Sequence, residues 1–256
     1  MPANSTFSVF HSAVIYWLQT AKSTLFIVAI FVPLCGFAAE QEGTGIRIKG
    51  TISYRPDADE PWRFQRYYVD EKTGALAEAV VALKANATTP LTPKPYEKPS
   101  QVTVDQENFQ FIPETIAIQT EDLVQFTNSD DSIHNVMLNH PKDAFNVNLA
   151  KDELYEHRFK ETTDTMSPHR LGCVYHGSMR AWVFVYDHPY FALTGKDGSF
   201  DISNIPPGEY TLEVHHPAGR LVSSQQLVLG DQTLVTQSIE LSPKNIKKRK
   251  PRTRRN

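Results

Sequence analysis

The chain has 256 residues, 29 acidic and 26 basic side chains, a formal net charge of −3, and 40% hydrophobic residues. That length holds one large or two small domains, each able to bury a core, and the balance of charge gives no reason to expect a nucleic-acid partner. Seventeen prolines against twelve glycines, among many short alternating segments, point to an all-β, turn-rich protein rather than to helices.

The first stretch reads as a targeting segment. Lys22 is the only charged residue before Glu40, and Leu25 to Ala39 is an apolar run of 15 residues, too short to span a bilayer comfortably but suited to a signal peptide. Gly36 and Ala38 put small residues three before and one before a cut after Ala38, so residues 1–38 are assigned as the signal peptide and the mature chain to the periplasm or another exported location. An uncleaved anchor is the alternative. Val32-Pro33-Leu34-Cys35 is a poor lipoprotein signal, because the residues before the cysteine are not small. Cleavage removes Cys35 and leaves Cys173 alone in an oxidising compartment, where an unpaired thiol is a liability unless it is buried, paired between chains or metal-bound.

From residue 44 to 85, Ile46, Ile48, Ile52 and Tyr54 alternate with polar residues as in a half-buried strand. Arg55 to Gly74 reads as a long loop with anchoring aromatics, and Ala77 to Lys84 as a second short strand. Asn86 to Ser100 carries Pro90, Pro93, Pro95 and Pro99, a spacing that favours extended backbone and marks a linker. Asn86-Ala87-Thr88 also matches a glycosylation sequon.

Between residues 101 and 187, Val102 and Val104, Phe109 and Phe111, Ile116 and Ile118, Val124 and Phe126, and Trp182, Phe184 and Tyr186 supply period-two strands for a sandwich. Pro141 to Arg170 reads as irregular. The chemistry concentrates in Gly172-Cys173-Val174-Tyr175-His176-Gly177-Ser178-Met179, where thiolate, imidazole and thioether donors stand at the spacing C-x2-H-x2-M. A thiolate, imidazoles and a weak axial thioether form a soft-metal ligand set of the blue-copper kind, which needs a second histidine from elsewhere. His134, just after the turn-forming Ser129-Asp130-Asp131-Ser132, is the candidate. Each of these residues taken alone has a blander reading: a small core cysteine, a gap-filling methionine, surface histidines.

Phe109-Gln110-Phe111-Ile112-Pro113, Val124-Gln125-Phe126-Thr127-Asn128, His134-Asn135-Val136 and the Cys-His-Met loop together resemble a plastocyanin-like cupredoxin, and the short loop most resembles amicyanin. The resemblance implies a Greek-key β-sandwich and one copper ion held by His134, Cys173, His176 and Met179. It also implies that Asn135 hydrogen-bonds across to the cysteine loop. The chain departs from the family at Thr120, where a glycine is usual, and at Met166-Ser167-Pro168-His169-Arg170-Leu171, where an aromatic-Gly-Tyr stretch is usual. A dinuclear copper centre is excluded, because His169 stands where the second cysteine would be needed.

Residues 188 to 243 carry turns at Lys196-Asp197-Gly198 and Pro206-Pro207-Gly208, with Phe200, Ile202, Tyr210, Leu212 and Val214 alternating around them. Gly198-Ser199-Phe200 and Pro206-Pro207-Gly208-Glu209-Tyr210-Thr211-Leu212 resemble the carboxypeptidase regulatory-like, transthyretin-like sandwich. That family's opening strands look like Lys49-Gly50-Thr51-Ile52 and Ala79 to Leu83, so the cupredoxin is expected to be inserted into this smaller sandwich. The alternative is a cupredoxin with extra strands before it and a separate domain after it. Residues 244–256 form a basic tail; with its eight cations and Lys22 set aside, the body carries −12. The tail reads as solvated, with weak contact to an anionic surface as its one suggested role.

His215 and His216 are adjacent and on a strand would face opposite ways. His140, His157, His169 and His188 sit among turn residues and are expected to be exposed, with His169 a further ligand candidate through its closeness to Cys173. No G-x-S-x-G elbow, H-E-x-x-H helix or phosphate-binding glycine loop is present. The reading is therefore an exported copper protein that is not an enzyme and passes single electrons between redox proteins such as a c-type cytochrome or a dehydrogenase. Its alternatives are a copper storage, delivery or surface-structural module and a mononuclear copper enzyme with an open coordination position.

Overall fold

The computed structural model describes residues 45–57, 68–86, 89–91 and 99–247. The signal segment 1–38, the middle of the loop from 55 to 74, residues 87–88 of the sequon, most of the proline-rich linker and the tail beyond residue 247 lie outside the described residues. No helix among the described residues is long and apolar enough to cross a membrane.

The chain is all-β. Strand β1 (Ile46–Tyr54) buries alternate residues, and β2 (Val80–Ala85) follows. Next come β3 (Gln101–Glu107), β4 (Gln110–Ile112), β5 (Thr115–Gln119), β6 (Leu123–Asn128), β7 (His134–Leu138), β8 (Phe145–Leu149), β9 (Leu154–Arg158), β10 (His169–Gly172) and β11 (Arg180–Tyr186). The last strands are β12 (Phe191–Leu193), β13 (Ser199–Ile205), β14 (Gly208–His216), β15 (Leu221–Leu229) and β16 (Leu234–Leu241), with a 3-10 turn at Pro243–Asn245. The stretch from Pro141 to Arg170, expected to be irregular, contains β8, β9 and the start of β10.

Strands β3 to β11 build two sheets, ordered β5-β11-β10-β7-β8 and β4-β3-β6-β9. Their facing sides supply one core, which includes Val104, Phe126, Val136, Leu171, Val183 and Val185. The remaining strands build a second pair of sheets, β13-β1-β16 and β12-β2-β14-β15, over a core that includes Ile48, Ile52, Leu83, Ile202, Tyr210 and Leu241. β1 and β2 thus share sheets with strands that follow residue 190, and the sandwich of β3 to β11 lies in sequence between the two contributions. Each fully buried aliphatic side chain in such cores contributes about 1.5–3 kcal/mol.

β11 and β2 are each buried on both faces where they meet. In β11, Val183 and Val185 point into the core of their own sandwich, while Phe184 and Tyr186 meet Val80 and Ala82 of β2, flanked by Trp182, Phe191 and Leu193. β2 repeats the pattern, with Val81 and Leu83 on its inner side. This apolar seam joins the sandwiches. Beside it, the buried carboxylate of Glu78 accepts the backbone N–H of Thr115 at 2.9 Å.

Close approach requires glycine at Gly50 and Gly198 of the smaller sandwich, among other positions. A Cβ at Gly50 would stand 2.2 Å from the Gln237 carbonyl oxygen and 2.7 Å from the Phe200 ring, so its absence lets both neighbours of β1 close over it. Gly198 has φ +74, and a Cβ there would stand 2.3 Å from the Ile52 carbonyl oxygen.

Candidate metal centre

β7 and β10 are antiparallel neighbours, with Leu138 opposite Leu171 and Met137 opposite Gly172. His134 begins β7, and Cys173 follows the end of β10. The pairing therefore carries the histidine and the cysteine to the same end of the sheet, 39 positions apart in sequence. There the loop from Cys173 to Met179 folds back, with Met179 N–H donating to the His176 carbonyl at 2.9 Å.

His134, Cys173 and His176 form a group whose donor atoms all lie within 4.8 Å of one another. The two Nδ1 atoms are 3.1 Å apart, and Cys173 Sγ is 3.7 Å from His176 Nδ1. His134 and Cys173 are buried and His176 is half-buried. Met179 is buried and packs in the same core as Cys173. These separations suit a shared ion: with bonds of about 2.0 Å to nitrogen and about 2.3 Å to sulfur, they subtend about 100° and about 120°. Thiolate and imidazole together select a soft or borderline first-row metal.

Two neighbouring side chains hold the donors in place. Asp130 accepts the Nε2 proton of His134 at 2.7 Å, which leaves Nδ1 as the donor atom. The same carboxylate accepts the backbone N–H groups of Asn108 at 2.8 Å and Phe109 at 3.0 Å. Burial pulls the Asp130 carboxyl up, but the Phe109 amide, the His134 imidazole and the Asn108 amide outweigh it and hold it below its ordinary value. Asn135 Oδ1 accepts the Val174 N–H at 3.4 Å, a long contact between the histidine strand and the cysteine loop. Its amide nitrogen donates to Asn146 Oδ1, the Val147 carbonyl and Asn148 Oδ1.

Phe109 is not the inward strand residue that its spacing from Phe111 suggests. Asn108 and Phe109 have φ of +53 and +57 and form the turn between β3 and β4. The half-exposed ring stands edge-on to His134 at 5.4 Å and to His176 at 4.8 Å. The contribution of Asp130 was likewise hidden, since Ser-Asp-Asp-Ser signals only a turn.

Of the histidines expected to be exposed, His169 and His188 are buried and His140 and His157 are half-buried; the adjacent His215 and His216 of β14 are both buried. His169 stands at the start of β10, four residues before Cys173, and belongs to a separate group of side chains.

The chain matches no protein-family model and no curated protein. Solved structures similar to it include an amicyanin variant in its oxidised state (21% identity, TM-score 0.31, 34% of this chain and 82% of that one). A purple cupredoxin from Nitrosopumilus maritimus is similar at 21% identity and TM-score 0.28, over 34% of this chain and 98% of that one. The copper-containing nitrite reductase of Thermus scotoductus SA-01 is similar at 22% identity and TM-score 0.30; 40% of this chain covers 25% of that enzyme.

Proposed function

We propose that the protein is an exported type 1 (blue) copper protein that transfers single electrons between larger redox proteins, such as a c-type cytochrome and a dehydrogenase, and is not itself an enzyme. The observation that carries this reading is the convergence of the His134 and His176 Nδ1 atoms with Cys173 Sγ at one end of a β-sandwich. Copper, when bound, supplies the Cu(II)/Cu(I) couple. The chain's own residues fix the donors: Asp130 sets the His134 tautomer, Asn135 ties the two loops, and Met179 brings a thioether from the buried side. Donors held by strands and loop hydrogen bonds need little rearrangement, which favours fast electron exchange.

The surface over the site supports a partner of the same class. Phe109, Ile133, Val174 and Tyr175 are large apolar side chains about half exposed, and they belong to the three loops that meet around the half-buried His176. A cluster of this kind suits transient docking of another protein, with His176 the donor nearest to it. The smaller sandwich belongs to the same proposal as a carboxypeptidase regulatory-like, transthyretin-like fold with a structural or binding role.

The test is a visible and electron-paramagnetic spectrum of the copper-loaded mature chain, repeated with Cys173→Ser. An intense thiolate-to-Cu(II) band that vanishes in the variant, with a reversible one-electron wave in voltammetry, is expected. Absence of both sinks the carrier role. Copper passed rapidly to chelators would instead point to storage or delivery, and spectral shifts with azide would reveal an open coordination position and an enzyme.

A further inference from the structure

At the far end of the same two strands lies a second group of histidines. β7 ends at Leu138, opposite Leu171, and two residues beyond it His140 comes beside His169, the first residue of β10. The two rings meet at 4.7 Å between centroids, edge to face. Asp143 lies in the turn that follows His140, and its N–H donates to the His140 carbonyl at 3.4 Å. His157 of β9 donates from Nε2 to Asp143 Oδ1 at 2.9 Å, and its Nδ1 is 3.3 Å from the Tyr155 hydroxyl. Phe145 and Phe159 wall the group off, with Phe159 stacked beside His169 at 5.7 Å and edge-on to His157 at 4.7 Å.

Three atoms in this group are buried and have no hydrogen-bond partner within the protein: His140 Nδ1, Asp143 Oδ2 and His169 Nε2. Asp143 and His169 are each only 7% exposed. A buried polar atom left without a partner costs about 1–3 kcal/mol, so three together ask for a common ligand. Burial, and then the neighbouring His140, holds the His169 imidazole below its ordinary value, while its ring also engages the backbone of Glu161. A neutral ring anchored through one nitrogen offers the lone pair of the other. The carboxylate oxygen and His169 Nε2 both present lone pairs, which a cation would satisfy together.

We propose that His140, Asp143 and His169 form a second metal site, for a divalent first-row ion such as Zn(II) or Cu(II), separate from the thiolate cluster. Two imidazole nitrogens and one carboxylate oxygen suit these ions, and the absence of sulfur makes the site harder than the first. His157 is a positioning residue: it holds Oδ1 of Asp143 and leaves the buried Oδ2 without a partner in the protein. Among the described residues only the thiolate cluster has three donors mutually within 4.8 Å, so capture of an ion at the second site requires the half-buried His140 and its turn to close on His169. The two sites are separated by the four residue steps from His169, at the start of β10, to Cys173, just past its end, about 13 Å of extended chain.

The experiment uses the full mature chain with Cys173→Ala and His176→Ala, which strips the first cluster of two donors and makes the outcome independent of any blue-copper absorption. Zn2+ binding is followed by calorimetric titration and by metal analysis after desalting, and Co2+ supplies a visible spectrum. One equivalent of metal is expected, with affinity falling at least tenfold in His140→Gln, Asp143→Asn and His169→Phe. His140→Gln changes a half-buried turn residue and keeps the test decisive if His169→Phe fails to fold. No stoichiometric ion in the double variant, or an ion held equally well after His140→Gln and Asp143→Asn, overturns the proposal and leaves the group as one that binds water only.

Discussion

The Asp130 carboxylate and the His134 imidazole meet at 2.7 Å through Nε2, and this contact turns the opposite ring nitrogen toward His176 and Cys173. Because Asp130 also takes two amide protons from the β3–β4 turn, one side chain couples the histidine's orientation to the loop that covers it. Asp130→Ala removes all three contacts at once. Loss of such an orienting partner typically costs 10–100-fold in metal affinity, and a competition titration against a copper chelator should show a loss in that range. Retention of wild-type affinity would mean that packing alone holds the ring.

Phe109 invites a separate test, because its ring is edge-on to both histidines yet touches the site from the solvent side. Phe109→Ala should leave the fold intact, since the residue lies in a turn and is about half exposed. Copper release to a chelator should become several-fold faster as water reaches the site, with the equilibrium spectrum little changed. If release is unaffected, the ring contributes only to the docking surface.

What could be read from the residues follows from how local each signal is. Strand alternation in β1, β6 and β11 is local, so an all-β chain was legible. The C-x2-H-x2-M spacing places three donors on one loop whatever the rest of the chain does. The turn Ser129-Asp130-Asp131-Ser132 made His134 a candidate, but its approach to Cys173 depends on the β7–β10 register, which no short pattern encodes. β9 escaped notice because Leu154, Tyr155, Glu156, His157 and Arg158 are exposed or half-exposed throughout and show no apolar period. Asn108-Phe109 read as strand because hydrophobicity at alternate positions does not report a positive φ. The burial of His169 arises from strands distant in sequence, and turn composition around it pointed the other way.

The seam between the sandwiches makes its own prediction. Glu78 is buried, sits at φ +56 beside β2, and accepts the Thr115 amide that begins β5. Glu78→Ala removes that charged acceptor and strands a buried N–H, a loss of about 1–3 kcal/mol. Chemical denaturation should show a lower midpoint, with the thiolate-to-copper band unchanged in the folded protein, since the contact lies outside the metal centre. A midpoint equal to wild type would assign the joint to the apolar seam of Val80, Phe184 and Tyr186 alone.

Acid stability should be governed by two histidines of the smaller sandwich. Burial lowers His215 to about 4 despite the Thr165 carbonyl that its Nδ1 contacts at 2.7 Å. Burial, followed by the neighbouring His215, lowers His216 to about 3, and its Nδ1 accepts the Gly219 N–H at 3.0 Å. In the unfolded chain both rings take up protons below about 6.5; in the folded protein they stay neutral until far lower pH. The unfolded state therefore binds more protons throughout this window, so stability is full above about pH 6.5 and declines as pH falls toward 4, by about 1.4 kcal/mol per unit for each histidine well inside it. The buried His169 and His188, both also lowered chiefly by burial, add to the slope with the same sign. His215→Gln keeps a neutral hydrogen-bonding side chain without the titration. Its denaturation midpoint should start lower at pH 7 and then fall less steeply than wild type between pH 6 and 4.5; parallel slopes for the two proteins would remove His215 as a cause.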